Sequence, residues 1–206
     1  LLQSHGLKYS DFKLFNINPE AGMAAIAAGQ MDGLFTTTSA FLLEDRGVGR
    51  IIWSTKQADL DWKTRTDFFV AKRFVDRWPE LTQIVVSAYV RAAHWASRPE
   101  NQEALIQIAA NNGTPVSVVR RSYADARVNW KDRWSPLFND VVAHHYRRTV
   151  DFALEHRLIG RPFDVNALQD RRFVQQALAE QKLAGWWQPV PLPASGAPGA
   201  PGARGA

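Results

Sequence analysis

Hydrophobic positions in the first seventy residues come in short bursts set between small and polar ones. Phe12, Leu14 and Phe15 form an apolar run of strand length. Asn18 then has the character of an N-cap, with Pro19 at the first helical position and Glu20 in the first turn. Met23, Ala24, Ile26, Ala27 and Ala28 give a helix face of mostly small side chains, and Gly29 ends it. Leu34 and Phe35 begin a second strand that runs into Thr36, Thr37, Thr38 and Ser39. A short helix follows from about Ala40 to Arg46, stopped by Gly47 and Gly49. Ile51, Ile52 and Trp53 make a third predicted strand and Phe68 to Ala71 a fourth, on either side of a polar loop over 54–66. Strands alternating with helices are the pattern of an α/β sheet.

The pattern changes at Lys72. Leu81, Ile84, Val85, Ala88, Tyr89, Ala92 and Trp95 recur at spacings of three and four, which predicts a long amphipathic helix starting near Pro79. Further helix starts are expected at Pro99, Pro115 and Pro136, the last two behind the hydroxyl caps Thr114 and Ser135. The helix from Pro136 is expected to bury Leu137, Val141, Val142, Thr149 and Phe152 and to end at Gly160. A final helix is expected over about 166–183, packed down by Phe173, Trp186 and Trp187. From Pro189 the chain is Pro, Gly and Ala almost throughout, a composition expected to stay disordered.

The hydroxyl run gives this pattern a chemical focus. In a parallel βαβ unit both strands end at one sheet edge, where ligands of open α/β sheets bind. Four successive hydroxyls there can donate to an oxyanion without carrying charge. If Thr38 or Ser39 caps the next helix, its backbone N–H groups and dipole join the same site. The competing reading is that the run caps a helix and satisfies its own backbone. Arg65, just ahead of the fourth predicted strand, has a planar fork suited to carboxylate, sulfonate or phosphate.

Composition narrows the classes. The 206 residues suffice for one large domain or two small ones, and 46% hydrophobic content with eight Trp supports a real core. The absence of cysteine excludes disulfides, thiolate metal sites and a Cys nucleophile. The net charge of +5 suits an anionic ligand but is spread along the chain, unlike the dense patch of a nucleic-acid binder. No apolar run reaches the length of a membrane span. The opening LLQSHGLKYSD reads as the last turn of a helix stopped at Gly6, so upstream sequence, including a signal peptide, is expected to be missing.

Other constellations carry less. His144 and His145 are adjacent, so on a helix they point about 100° apart and do not share one ion; no metal is expected. His94 sits beside the apolar stripe as a packed histidine. Asp59 and Asp61 lie in a polar loop as solvated charges. Arg120, Arg121, Tyr123, Arg127, Trp130, Lys131, Arg133 and Trp134 interleave aromatics with cations as single-strand binders do. Asp125 and Asp132 interrupt that run, and anchoring between helices is the favoured reading, so no nucleic acid is expected.

Three stretches together resemble a known family. GLKYSDFKLFNINPEAGMAAIAAGQMDGLFTTTSAFLLE, FFVAKRFVDRWPELTQIVVSAYVRAAHWASRPE and VVAHHYRRTVDFALEHRLIGRPFDV follow the order of motifs in solute-binding proteins of bacterial ABC importers. The group is that for aliphatic sulfonates, taurine and nitrate, related to the thiamine-pyrimidine-precursor proteins, and the likeness covers about residues 1–170. It implies an α/β fold of the periplasmic binding protein type (type II): two lobes with a hinge, here lacking the first half of lobe one. Residues 1–60 would be most of lobe two, 61–66 the hinge, 67–187 the returning helical part of lobe one and 188–206 the tail. The cleft contacts would fall at Thr36 to Ser39 and around Arg65, Thr66 and Asp67. The implied protein is a monomer that takes a small anionic or polar organic solute to an ABC permease. It would sit in the periplasm or on a lipid anchor, and it needs no cofactor and is no enzyme. The sequence departs from many relatives, which carry an aromatic–acidic–Pro string where Thr37, Thr38, Ser39 and Ala40 stand; the ligand does not carry over. Rival readings are a pyrimidine-synthase-like enzyme, whose cysteine-rich motif is absent, and the effector-sensing domain of a transcription regulator.

Overall fold

The first α-helix among the described residues begins where a side chain can supply what the backbone lacks. Asn18 Oδ1 accepts from Ala21 N–H at 2.8 Å, Pro19 opens the helix and Glu20 lies in its first turn. In the computed structural model this helix, α1, runs Pro19–Ala27. The structure describes residues 5–57, 67–125 and 128–190; the tail beyond residue 190 and the loop over 58–66 lie outside the described residues.

Seven further α-helices follow among the described residues: α2 (Ser39–Asp45), α3 (Lys72–Arg77), α4 (Pro79–Ser97), α5 (Gln102–Ala110), α6 (Val116–Tyr123), α7 (Asp140–Glu155) and α8 (Arg172–Glu180). The described chain divides into two compact units. One holds the residues up to Ile52 with Ser117–Ser122; the other holds Trp53–Val116 and the residues from Tyr123 onward.

In the first unit α1 packs against α2. Gly22 lies on the buried side of α1, and a Cβ there would stand 2.7 Å from Leu34 Cδ1. The missing side chain lets the helix sit against the segment that leads into the hydroxyl run. Both helices end alike. Gln30 N–H bonds to Ala25 O and Gly29 N–H to Ile26 O, with Gly29 left-handed at φ 68°. Gly47 plays the same part after α2.

The second unit is organised on α4. Val90, fully buried, meets Ala177 and Leu183, with Val86, Leu178 and Trp186 packed around them. Polar side chains fasten the same contact: Gln83 Nε2 donates to Phe173 O at 3.1 Å and Gln181 Nε2 to Ser87 O at 2.9 Å. Trp186 Nε1 donates to the buried Ser97 hydroxyl at 3.0 Å, and Trp187 Nε1 to Lys131 O at 3.0 Å. Trp186 and Trp187 thus pack the end of the chain down as expected, while Phe173 joins the contact through its carbonyl.

Several expectations are corrected. The four predicted strands are not seen as strands: no strand occurs among the described residues. A strand is fixed by a ladder of hydrogen bonds to a neighbour, and composition alone does not supply one. Phe69 is 74% and Phe35 83% exposed. The helix expected from Pro136 starts instead at Asp140, capped by Asn139 Oδ1 accepting from Val142 N–H; Ser135 makes only a local turn to Leu137 N–H. Thr149 and Phe152 are exposed, and the helix ends at left-handed Arg157, short of Gly160. The expected helix over 166–183 is interrupted: a 3-10 turn spans Val165–Leu168 before α8 begins at Arg172. The stripe Leu81, Ile84, Val85, Ala88, Tyr89, Ala92 and Trp95 does lie on one helix, but it is the open side. The buried positions are Thr82, Val90, Ala93, Ala96 and Ser97, and Val86 and Val90 meet α8 and the residues after it.

Candidate functional site

The hydroxyl run sits in the first unit, between Leu34 and α2. Thr36 and Ser39, one turn apart, share a hydrogen bond of 2.6 Å between their hydroxyls. Thr37 between them is exposed. Thr38 is the N-cap of α2, yet its side chain makes no capping bond and its backbone is already helical, φ −55° and ψ −29°. The run therefore does not cap in the usual way. Ala40 N–H turns back to Thr37 O and Phe41 N–H to Thr38 O, each 3.1 Å. These two N–H groups are spent on the turn, and of the four hydroxyl residues only Thr37 is exposed.

A second feature holds α2 from its other end. The Arg121 guanidinium bonds to Glu44 and, at 3.1 Å, to Asp45, and lies 4.5 Å over the Phe41 ring. Glu44 Oε1 also accepts from Ile51 N–H at 3.0 Å. That backbone bond first, and the Arg121 bond second, hold the Glu44 carboxyl below its ordinary value. Arg121 was a candidate for polyanion contact in the sequence; here two acids and a ring occupy it. Seventy-seven residues separate Arg121 from Glu44, a distance at which no local pattern signals pairing.

In the second unit Asp67 accepts a hydrogen bond from the Tyr146 hydroxyl, which ties the start of the Phe68–Ala71 segment to α7. Arg65 and Thr66 lie outside the described residues. Of the seven predicted site residues, the structure brings together Thr36, Thr37, Thr38 and Ser39 and places Asp67 on Tyr146. Tyr146 had no sequence signal beyond its position in α7.

The aromatic and basic run resolves into packing. Tyr123, Trp130 and Trp134 meet at centroid distances of 5.6 to 5.8 Å. Trp130 Nε1 donates to Ala96 O at 2.9 Å, and Arg133 reaches Tyr123 O at 2.9 Å. His94 stands edge-on to Trp186 at 4.6 Å, and burial, aided by Arg98, pushes its pKa below the ordinary 6.5. Among the described residues no three His, Asp or Glu side chains gather as a metal would require. No helix among them is long and apolar enough to cross a membrane.

Comparison with known proteins gives this geometry a relative. A solved structure described as the periplasmic sulfonate-binding protein SsuA of a sulfonate ABC transporter, from Methylobacillus flagellatus KT, superposes with a TM-score of 0.77 at 43% identity. The superposition covers 94% of this chain and 58% of that one, so the chain spans somewhat more than half of its relative's length. The match supports the periplasmic binding protein fold, and the relative is a binding protein and not an enzyme. No curated protein matches. The profile of the NMT1-like family matches residues 1–110, more than half of the 206, and on that match the chain belongs to the NMT1-like family.

Proposed function

We propose that this protein is the solute-binding component of an ABC importer and that its solute is a small organic anion of the sulfonate class. The observation that carries the reading is 43% identity to a sulfonate-binding protein across nearly the whole chain. The segment Thr36 to Ser39 is consistent with it, because uncharged hydroxyls are matched to a sulfonate's oxygens and the pair at Thr36 and Ser39 is already ordered. Arg65, Thr66 and Asp67 belong to the same proposal as the contributors from the predicted hinge and the segment after it, with Arg65 supplying charge. The α/β two-lobed arrangement, lobe closure around the solute, delivery to a permease and residence in the periplasm are parts of this reading. Taurine and nitrate fall within the ligand class to be tested.

The test is a thermal-shift series on the full-length protein with taurine, short alkanesulfonates, aromatic sulfonates, nitrate and sulfate. A ligand at about 100 times its Kd stabilises by about 2.7 kcal/mol. One class is expected to raise the melting temperature, with the shift reduced in Thr37→Val and in Arg65→Ala. Silence from every anion in a cooperatively melting sample would remove the importer reading. A shift untouched by both substitutions would move the site elsewhere.

A further inference from the structure

Helix α2 is seven residues long, two turns that would not hold their shape alone. Its N-cap Thr38 gives it no side-chain bond, and no acid stands in its first turn. Its polar hold is at the far end. Glu44 uses both carboxylate oxygens: Oε1 accepts from Ile51 N–H at 3.0 Å and Oε2 from Arg121. The other arm of the guanidinium donates to Asp45 at 3.1 Å, and its face lies over the Phe41 ring at 4.5 Å. One planar fork thus grips both turns of the helix, Phe41 in the first and Glu44 with Asp45 in the second. A fully exposed ion pair orders little. This one is two-armed, stacked and partly shielded, with Glu44 only 30% exposed, an arrangement open to arginine and not to lysine. The grip comes from α6, whose residues Ser117–Ser122 belong with the first unit although the chain on either side of them belongs with the second.

The same helix begins in the hydroxyl run. Ser39 is its first residue and bonds to Thr36, while Ala40 N–H and Phe41 N–H close the turn on Thr37 O and Thr38 O. Phe41 belongs to both arrangements: its N–H closes the turn and its ring lies under Arg121. We infer that Arg121 is a positioning residue for the Thr36–Ser39 segment, fixing through Phe41 and Glu44 the turn that leaves Thr37 exposed. Its part in solute binding rests on the sulfonate reading; its hold on the turn does not.

The experiment is hydrogen exchange on the ligand-free full-length protein, followed by titration with ethanesulfonate. In Arg121→Gln the amides of Ala40 and Phe41 are expected to exchange about three to ten times faster, while those of Gly22 and Ala28 at the two ends of α1 keep their rates. Arg121→Lys, which keeps the charge and loses the fork, should fall between. The Kd for ethanesulfonate should rise about tenfold in Arg121→Gln at a temperature where the variant is fully folded. Arg172→Gln, which removes the same charge from the exposed pair with Asp170 on the second unit, should leave it unchanged. Asp45→Asn is the milder variant should loss of the fork unfold the unit, with a smaller change at the same two amides. Unchanged exchange, or exchange that quickens equally through α1 and α2, would overturn the inference. Faster exchange with an unchanged Kd would overturn its part in binding. Absence of ethanesulfonate binding by the parent protein bears on the sulfonate reading alone, and the exchange rates still decide the role of Arg121.

Discussion

Helix α4 shows two apolar sides that differ in what they meet. One side is closed by α8 and the end of the chain, with Val90 at 0% exposure and tryptophan N–H groups supplied with acceptors. The other holds larger side chains and is open. By periodicity alone the open side is the stronger of the two, because Leu, Ile, Val, Tyr and Trp outweigh Thr, Val, Ala and Ser. Hydrophobicity therefore marks surface that needs covering; it does not say which covering is present.

Substitutions can break this comparison. The largest effect is expected at Trp187, 3% exposed and bonded to Lys131 O. Trp187→Ala should cost about 3–5 kcal/mol in a denaturant titration of the second unit. Val90→Ala, on the closed side, should cost about 1–3 kcal/mol through its cavity. Ile84→Ala, six residues away on the open side, should change the stability of the same chain by less than about 0.5 kcal/mol. Equal costs at Val90 and Ile84 would erase the distinction between the two sides.

The pH dependence sharpens it from another direction. His94 is held below its ordinary 6.5, chiefly by burial against the tryptophans. The unfolded chain then binds the proton more readily than the folded one. This contribution to stability is complete above pH 6.5 and is lost as pH falls from there toward the folded value. His94→Gln should flatten the stability profile below pH 6.5. Glu44 in the first unit is also depressed, so its contribution is present above the ordinary 4.5 and lost as pH falls below it. Arg121→Gln should shrink that loss. A modest gain is expected at Arg157 and Lys182, left-handed residues at φ 56° and 58° where α7 and α8 end. Glycine at either place should stabilise by about 0.5–1 kcal/mol, read as a rise in melting temperature.

What the sequence made legible was local. The Asn18 cap with Pro19, the stop at Gly29 and the start of α4 at Pro79 rest on neighbours within one turn, and the structure has all three. What it hid depends on distant partners. A strand is defined by the chain beside it, and among the described residues Phe12 to Phe15, Leu34 and Phe35, and Phe68 to Ala71 form no strand. Arg121 was read among neighbouring cations, but its partners are Glu44 and Asp45. At Pro136 the local signal itself misled, because Asn139 offers a cap three residues on and Ser135 turns to Leu137 instead. In the candidate site the hydroxyl run was visible as composition. The mutual bond of Thr36 and Ser39 depends on the turn between them, and the hold of Tyr146 on Asp67 on residues 79 apart in sequence.

The tryptophan pair that closes α4 has a consequence for synthesis. Trp186 bonds to Ser97 across 89 residues of sequence. At about 5–20 residues per second a ribosome takes roughly 5–20 s to pass from one to the other. Over that interval α4 exists while the chain that closes its α8 side has not yet been made. The second unit is therefore expected to mature late in translation, and a nascent chain stalled between the two residues should be a good chaperone client.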